Sequence, residues 1–260
     1  MISDNYELFK TEFFQLAGID LNSYKESQMK RRIDSFIGKS SADTYHEFIG
    51  LLRRDSTVYD NFITYLTINV SEFYRNPLQW QTLEKQIIPY LLNQFGKPLK
   101  IWSAACSTGD EPYSLAMVLS DFLPLNQFRI LATDMDNEVL SKAKKGCYTE
   151  NSIKGLPKKY QDRFLTKDKD GIITVSNQLK SCISFKQHNL LKDGYPKGVH
   201  MIVCRNVMIY FTEEAKEKIY HRFSASLAPH GILFVGSTEQ IINAAQYNFK
   251  GMQSFFYERL

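Results

Sequence analysis

The pattern of apolar and polar positions divides the chain near residue 97. Before that point, apolar residues recur at helical spacing, for example at positions 8–16 and 45–52, which predicts amphipathic helices. Asn76-Pro77 predicts the start of a further helix, with asparagine as its cap and proline in its first turn. That helix is expected to reach about Phe95, just before Gly96.

After residue 97, short apolar runs alternate with amphipathic segments. The runs at 99–104, 128–133, 183–186, 201–204 and 232–235 predict strands, and the segments near 111–123, 136–145 and 213–227 predict helices. This alternation is typical of a parallel, doubly wound α/β sheet. An apolar run at 255–257 is expected to add an edge strand.

One segment interrupts the alternation. Two apolar runs flank the charged stretch 167–171, which ends in Asp170-Gly171, and Asp-Gly predicts a hairpin turn. We expect a small antiparallel unit inserted at about 157–186. The predicted organisation is a helical domain at 1–76, a linker helix at 77–96 and an α/β domain at 97–260.

Composition narrows the class of protein. The chain has 260 residues, of which 43% are apolar and 23% charged, as in ordinary globular proteins. No apolar run is long enough to span a membrane, and residues 1–7 lack the features of a signal peptide. Four separated cysteines without a CxxC pair favour reduced thiols in a cytoplasm, and the histidine spacing indicates no metal.

The charge pattern leaves two interpretations open. A net charge of +4 is too small to indicate nucleic acid by itself. Basic residues nevertheless concentrate in the first quarter of the chain, and they form either a solvated helix face or a docking surface for an acidic partner. The first group contains Lys25, Lys30, Arg31, Arg32 and Lys39.

The predicted strand at 99–104 leads into a loop of small residues that contains Gly109. Ligands of doubly wound sheets bind beyond the strand ends, where small residues let the backbone approach them. The chain has neither GxGxxG nor GxxxxGK[ST], so a phosphate cradle is disfavoured. Asp110 and Glu111 would repel phosphate but suit a cationic or amino-bearing ligand. The alternative is an ordinary strand–loop–helix turn.

A second acidic position follows the next predicted strand. Asp134 lies about two dozen residues after Gly109, where an acid can accept hydrogen bonds from a ribose diol. The alternative is a helix cap, a role that Asp136 could equally supply. The two elements together favour an adenosine ligand, and the missing phosphate loop favours S-adenosylmethionine over a dinucleotide.

Two further segments stand out. Arg205-Asn206 is a polar pair in an apolar run, which is costly unless hydrogen-bonded. Enzymes that methylate adenine amino groups carry Asn/Asp-Pro-Pro-Tyr here. This chain continues from Asn206 with Val-Met-Ile-Tyr instead, which argues against a base-flipping enzyme. Segment 67–76 is, on composition alone, an interdomain connection with capping residues.

Five segments together carry a resemblance to a known family. They are Asn69-Val-Ser-Glu-Phe-Tyr-Arg75, Trp102-Ser-Ala-Ala-Cys-Ser-Thr-Gly-Asp-Glu-Pro-Tyr-Ser114, Ala132-Thr-Asp134, His188-Asn-Leu-Leu191 and Cys204-Arg-Asn-Val-Met-Ile-Tyr-Phe211. In this order, over nearly the whole chain, they resemble the CheR family of chemotaxis receptor methyltransferases. The resemblance implies an all-helical N-terminal domain and a Rossmann-like S-adenosylmethionine methyltransferase domain with an inserted antiparallel β-subdomain.

The resemblance also implies roles for individual residues. Arg75 and Tyr210 are the candidates for steering the substrate carboxylate. The implied cofactor contacts are Asn69, Ser71, Arg75, Glu111, Asp134, Asn189, Leu190, Arg205 and Asn206, with Asn189 and Leu190 flanking adenine. The implied reaction moves a methyl group from S-adenosylmethionine to receptor glutamate carboxylates and leaves S-adenosylhomocysteine.

The implied partner is the acidic helical region of chemotaxis receptors. Lys25, Arg32 and Lys39 are spaced by seven and are expected near one helix face, so Lys25, Arg31, Arg32 and Lys39 are the predicted docking residues. The loop at 166–171 is short and highly charged, whereas relatives that bind a receptor tethering peptide have a longer, glycine-rich loop there. In this feature the chain resembles the relatives that bind no such peptide. We expect a cytoplasmic monomer that does not insert into the membrane or bind nucleic acid.

Two other functions stay open at this point. The first is a non-catalytic domain that senses S-adenosylmethionine. The second is a small-molecule or nucleic-acid methyltransferase, since one fold serves many substrates.

Overall fold

Four helices form the first part of the chain. The computed structural model describes residues 5–260, so residues 1–4, where the predicted helical domain begins and part of the signal-peptide expectation rests, lie outside it. The helices are α1 (Tyr6–Ala17), α2 (Glu26–Ile37), α3 (Tyr45–Arg54) and α4 (Ser56–Leu66). The side chains of Asn5, Thr44 and Asp55 cap α1, α3 and α4. The helices predicted at 8–16 and 45–52 are confirmed.

Aromatic side chains build the core of this helical unit. The rings of Phe48 and Phe62 meet edge to face with 4.9 Å between centroids, and Phe9 and Phe13 are buried beside them. By its contacts the unit extends to Asn69 and also takes in Tyr210–Glu217. Sequence patterns give no indication of this distant segment. The domain bounds at 76 and 96 stay predictions.

The second unit, Val70–Ile209 and Lys218–Leu260, opens with a continuous helical stretch. It runs through α5 (Pro77–Thr82), a π-helical turn and α6 (Ile88–Phe95), which confirms the predicted start and end. The predicted cap is wrong. Asn76 has a left-handed backbone with φ 61° and its side chain makes no capping bond; its Oδ1 lies 3.4 Å from Arg205 Nη2 instead.

Strands and helices then alternate. The strands are β1 (Leu99–Ala104), β2 (Phe128–Asp134), β3 (Cys147–Tyr148), β4 (Leu165–Lys167), β5 (Ile173–Val175), β6 (Ile183–Gln187), β7 (Val199–Cys204), β8 (Leu227–Val235), β9 (Phe249–Gln253) and β10 (Phe256–Arg259). The helices are α7 (Asp110–Leu119), α8 (Asn137–Lys145), α9 (Lys158–Phe164), α10 (Asn177–Lys180) and α11 (Glu213–Ser226).

Seven strands form the main sheet in the order β6-β2-β1-β7-β8-β10-β9. The first five pair in parallel, so the five predicted core strands and the doubly wound α/β class are confirmed. The predicted edge position of 255–257 is wrong, because β10 pairs with β8 on one side and β9 on the other. The apolar pattern did not reveal β9, whose centre is Lys250-Gly251 and which a glycine weakens.

Three short strands form a separate antiparallel sheet in the order β3-β5-β4. The predicted hairpin is present between β4 and β5, with Gly171 at φ 82° and Asp168 Oδ1 accepting from the N–H groups of Asp170 and Ile172. The strands of this sheet span 147–175, whereas the prediction gave 157–186. A two-residue strand such as β3 shows no periodicity, and β6 pairs with β2 of the main sheet.

Within residues 5–260, no helix combines the length and the apolar character that crossing a bilayer requires.

Candidate functional site

The carboxyl ends of four parallel strands lie at one edge of the main sheet, because β6, β2, β1 and β7 are neighbours. Backbone hydrogen bonds connect the segments that leave these ends. Ser107 N–H donates to Asp134 Oδ2 at 2.8 Å, and His188 N–H donates to the Asp134 carbonyl at 2.8 Å. Three of the five motif segments are joined in this way.

The Arg205 guanidinium joins the remaining two segments. Its Nη2 donates to the Arg75 carbonyl and to Gln79 Oε1, each at 2.7 Å, and its Nη1 lies 3.6 Å from Glu111 Oε2. The side chain is 2% exposed, and burial lowers the pKa of Arg205. The two terminal nitrogens of this predicted cofactor contact are therefore engaged within the protein, where they fix the backbone at Arg75, whereas its Nε is buried and has no hydrogen-bond partner among the residues described.

Acidic side chains are buried around the loop after β1. Glu111 Oε1 accepts from Ser103 Oγ at 2.8 Å, and burial raises the pKa of Glu111 against the opposing influence of Arg205. Burial likewise raises the pKa of Asp110, which accepts from Thr108 Oγ1 at 2.6 Å and hydrogen-bonds Ser71. Perturbed acids grouped at a strand edge are typical of functional sites.

Asp134 and Asp136 have different roles. Asp136 caps α8 by accepting from the N–H groups of Glu138 and Val139, so the capping interpretation is correct for Asp136. Asp134 is 7% exposed at the end of β2, and its carboxylate accepts from the N–H groups of Ser107 and Asp136. Burial raises the pKa of Asp134 to about 6.

The loop after β1 fits an adenosine-bearing ligand. Its Ser107 hydroxyl is buried and, among the residues described, has no hydrogen-bond partner. The backbone N–H of the same residue donates to the Asp134 carboxylate. A carboxylate at this position of a doubly wound sheet can accept hydrogen bonds from ribose hydroxyls. S-adenosylmethionine, which contains adenosine but no phosphate, suits this donor and acceptor set.

Unusual backbone conformations concentrate in the same segments. Of the ten non-glycine residues with positive φ in residues 5–260, six lie within 67–76, 102–114 and 204–211. Each such conformation costs about 1–3 kcal/mol and persists where its surroundings fix it, often at functional sites. The six are Ile68, Tyr74, Asn76, Ala105, Ser107 and Asn206.

The predicted adenine-flanking pair lies in a tight loop after β6. Asn189 Oδ1 accepts from Leu191 N–H at 2.9 Å, and Asn189 N–H donates to Asp193 Oδ2 at 2.8 Å. Leu190 is buried. The loop thus has a defined backbone at the carboxyl edge of the sheet.

The other predicted residues divide between the two units. Asn69, in the helical unit, donates through Nδ2 to Thr67 Oγ1 at 2.8 Å. Tyr210, also in that unit, accepts at its carbonyl from Lys25 N–H at 2.9 Å. Arg75 belongs to the second unit, where its Nη1 lies 3.3 Å from the Val70 carbonyl.

The predicted docking face on α2 needs correction. Of the four predicted docking residues, only Arg31 and Arg32 lie within this helix. Lys25 is its N-cap residue, and Lys39 follows its C-cap, Gly38. Arg31 and Lys39 are exposed. The half-buried Arg32 lies 4.5 Å from the centre of the Tyr65 ring and donates to the Tyr65 carbonyl. The seven-residue spacing therefore does not produce one continuous helix face.

Sequence reasoning missed Glu239. This residue is 4% exposed, and its carboxylate accepts from the N–H groups of Asn206 at 2.6 Å, Gly236 at 2.8 Å and Ile209 at 3.3 Å. It therefore holds the segment that follows Arg205. The sequence signal that could have identified Glu239 is the polar run 237–240 directly after the apolar strand β8. Polar residues after a buried strand also identified the other segments.

Comparison with known proteins agrees with this arrangement. Residues 69–256 match the family model described as the CheR methyltransferase SAM binding domain, and residues 4–67 match the CheR methyltransferase all-alpha domain. A chemotaxis protein methyltransferase from Listeria monocytogenes is 44% identical over 240 residues, covering 92% of this chain and 91% of that relative. Proteins of the same name from Salmonella typhimurium and Escherichia coli are 33% and 34% identical, covering 92% and 87% of this chain and 84% and 80% of their own lengths. The chain is a member of the CheR methyltransferase family.

Proposed function

We propose that this protein transfers a methyl group from S-adenosylmethionine to glutamate side chains of chemotaxis receptors. The observation that supports this most directly is the convergence of all five motif segments through the bonds of Asp134 and Arg205. The names of the relatives supply the substrate class. The products are a glutamate methyl ester and S-adenosylhomocysteine.

The proposed reaction needs little acid–base catalysis from the protein. The cofactor supplies a methyl group bonded to a positively charged sulfur. A glutamate side chain has an ordinary pKa of about 4.3 and is ionised at pH 7, so no general base is needed. The residues of the chain therefore act by orientation, which can contribute about 7–11 kcal/mol to catalysis.

Each candidate residue has a role in that orientation. Asp134 accepts from the ribose hydroxyls, and the loop at Asn189 and Leu190 flanks adenine. Arg75 attracts the receptor carboxylate, and Tyr210 helps to direct it. Arg75 suits this task because its guanidinium makes only one long bond, to the Val70 carbonyl, among the hydrogen bonds described for it.

Receptor docking involves the basic residues of the helical unit. Arg31 and Lys39 present their charge to solvent, whereas Arg32 is held by Tyr65. An acidic receptor helix would meet the exposed charges, and binding would weaken steeply with added salt. The protein acts as a cytoplasmic monomer on membrane-bound receptors. Its short β4–β5 loop fits the branch that needs no tethering peptide.

The test is methyl transfer to receptor-bearing membranes from methyl-labelled S-adenosylmethionine, followed by mild alkali. Label on the receptor, released as volatile methanol, would establish glutamate methyl esters. A receptor whose methylated glutamates are replaced by alanine is the substrate control. Arg75→Ala should abolish transfer even at saturating S-adenosylmethionine, whereas Arg163→Ala, a surface variant, should keep both transfer and S-adenosylhomocysteine binding.

Tight cofactor binding without receptor labelling would contradict the proposed substrate. In that case a non-catalytic sensor of S-adenosylmethionine would be the better description.

A further inference from the structure

The carbonyl of Leu190 is held by two side chains from outside the motif segments. Tyr195 Oη donates to it at 2.8 Å, and Arg222 Nη1 donates to it at 2.6 Å. Arg222 lies in the C-terminal part of α11, and both donors belong to the second unit. A carbonyl with two donors has both acceptor positions filled, so its direction is fixed.

Arg222 makes further bonds to the same loop. Its Nη2 donates to the Asp193 carbonyl, and the Asp193 carboxylate in turn accepts from Asn189 N–H at 2.8 Å. The guanidinium lies 4.0 Å from the centre of the Tyr195 ring, within the range of a cation–π interaction. The planar, five-donor group of arginine is suited to holding several acceptors at once.

We propose that Arg222 and Tyr195 are positioning residues for adenine recognition. They act through Leu190 and Asn189 and do not themselves touch the cofactor. This inference rests on the proposed function in one respect, the assignment of Asn189 and Leu190 to adenine. The consequence is that α11 sets the affinity for the cofactor without contributing to methyl transfer.

The test is calorimetric titration of purified full-length variants with S-adenosylhomocysteine. Loss of a hydrogen bond from a charged donor changes an equilibrium constant by about tenfold or more, so Arg222→Ala should raise the Kd about tenfold. Tyr195→Phe removes one neutral bond and should raise it less. Arg222→Lys should recover part of the affinity, because an ammonium group can still donate to the Leu190 carbonyl.

A matched control comes from the amino-terminal end of β2, away from the carboxyl ends of the strands. Arg129, near the start of β2, also donates to backbone carbonyls, those of Phe128 at 2.8 Å and Leu125 at 3.3 Å. Arg129→Ala removes the same kind of bond and should leave the Kd unchanged. In methylation assays, Arg222→Ala should raise the KM for S-adenosylmethionine and leave both kcat and the KM for receptor near wild type, a split that general loss of structure would not give.

The outcomes separate this inference from the proposed function. A folded Arg222→Ala variant that binds S-adenosylhomocysteine as tightly as wild type would overturn the positioning role alone. Wild-type protein that fails to bind S-adenosylhomocysteine would overturn both. Wild-type protein that binds but does not methylate receptors would refute the proposed function, while the variant Kd values would still decide the role of Arg222. If Arg222→Ala does not fold, Tyr195→Phe decides: a raised Kd supports the inference, and a Kd equal to that of wild type overturns it.

Discussion

Replacement of Arg205 by methionine should be among the most destabilising single changes in the second unit. Methionine keeps the length and apolar stem of the side chain but removes the guanidinium, which lies over the rings of Phe234 and Trp80. It removes the bonds to the Arg75 carbonyl and Gln79 and the charge opposite Glu111. The change therefore isolates the polar role of the guanidinium.

The magnitude follows from burial. Removal of one partner from a buried ion pair costs about 3–5 kcal/mol, because the other charge stays buried without compensation. For a protein of this size each kcal/mol lowers Tm by about 2–4 °C, so Arg205→Met should melt about 6–20 °C below wild type. Glu111→Gln, which leaves the cation uncompensated, should also destabilise the protein.

The assay is urea unfolding of wild type, Arg205→Met, Glu111→Gln and the double variant. Because the two side chains share one interaction, the double variant should lose about 2 kcal/mol less than the sum of the single losses. Without Arg205, the pKa of Glu111 rises further. An acid with a raised folded-state pKa stabilises the protein at low pH and loses that contribution as pH rises, so the deficit of Arg205→Met should be larger at pH 8 than at pH 5.

The control is Arg163→Met, which removes an exposed arginine 3.5 Å from Asp121 and should cost no more than about 1 kcal/mol. An Arg205→Met variant that loses as little as this control would refute the structural role. Strictly additive losses in the double variant would show that Glu111 is not its partner.

Three further results are expected. Because burial raises the pKa of Asp134 to about 6, its stabilising contribution to the free protein should fall as pH rises through 6, whereas affinity for S-adenosylhomocysteine should increase as the carboxylate ionises. Calorimetry from pH 5 to 7 should show this increase for wild type and not for Asp134→Asn. Glu239→Gln should destabilise the protein by about 1–3 kcal/mol in urea unfolding, since an amide cannot accept from three N–H groups as a carboxylate does; a loss below 0.5 kcal/mol, about the effect of an ordinary surface change, would contradict this. Arg31→Glu should weaken receptor binding at low salt with unchanged Tm, whereas Arg32→Glu should also lower Tm; equal melting of the two variants would contradict the distinction.

The main elements of the fold could be predicted from the sequence because their patterns are local. The strand at 99–104 and the helix that begins at Pro77 are set by apolar runs and by proline, and both are present at the predicted positions. The elements that were missed depend on distant partners. β3 and β9 carry weak patterns and exist because β5 and β10 pair with them.

The site divides in the same way. The sequence identified which residues follow the strand ends, since a polar residue after a buried strand is visible in the pattern. It could not identify their partners. The carbonyl that Arg205 binds lies 130 positions away, and the polar run containing Glu239 did not reveal that Asn206 is held by it.

Partners also decide whether a polar residue binds the cofactor or supports one that does. Both terminal nitrogens of the Arg205 guanidinium already contact protein groups, namely the Arg75 carbonyl, Gln79 Oε1 and Glu111 Oε2. A nitrogen in that condition can bind a ligand only by giving up a contact that it already makes. The Ser107 hydroxyl, which is buried and has no partner among residues 5–260, gains a bond at no such cost. Ser107→Ala should therefore weaken cofactor binding with little change in stability, whereas changes at Arg205 should alter stability first and cofactor binding as a result.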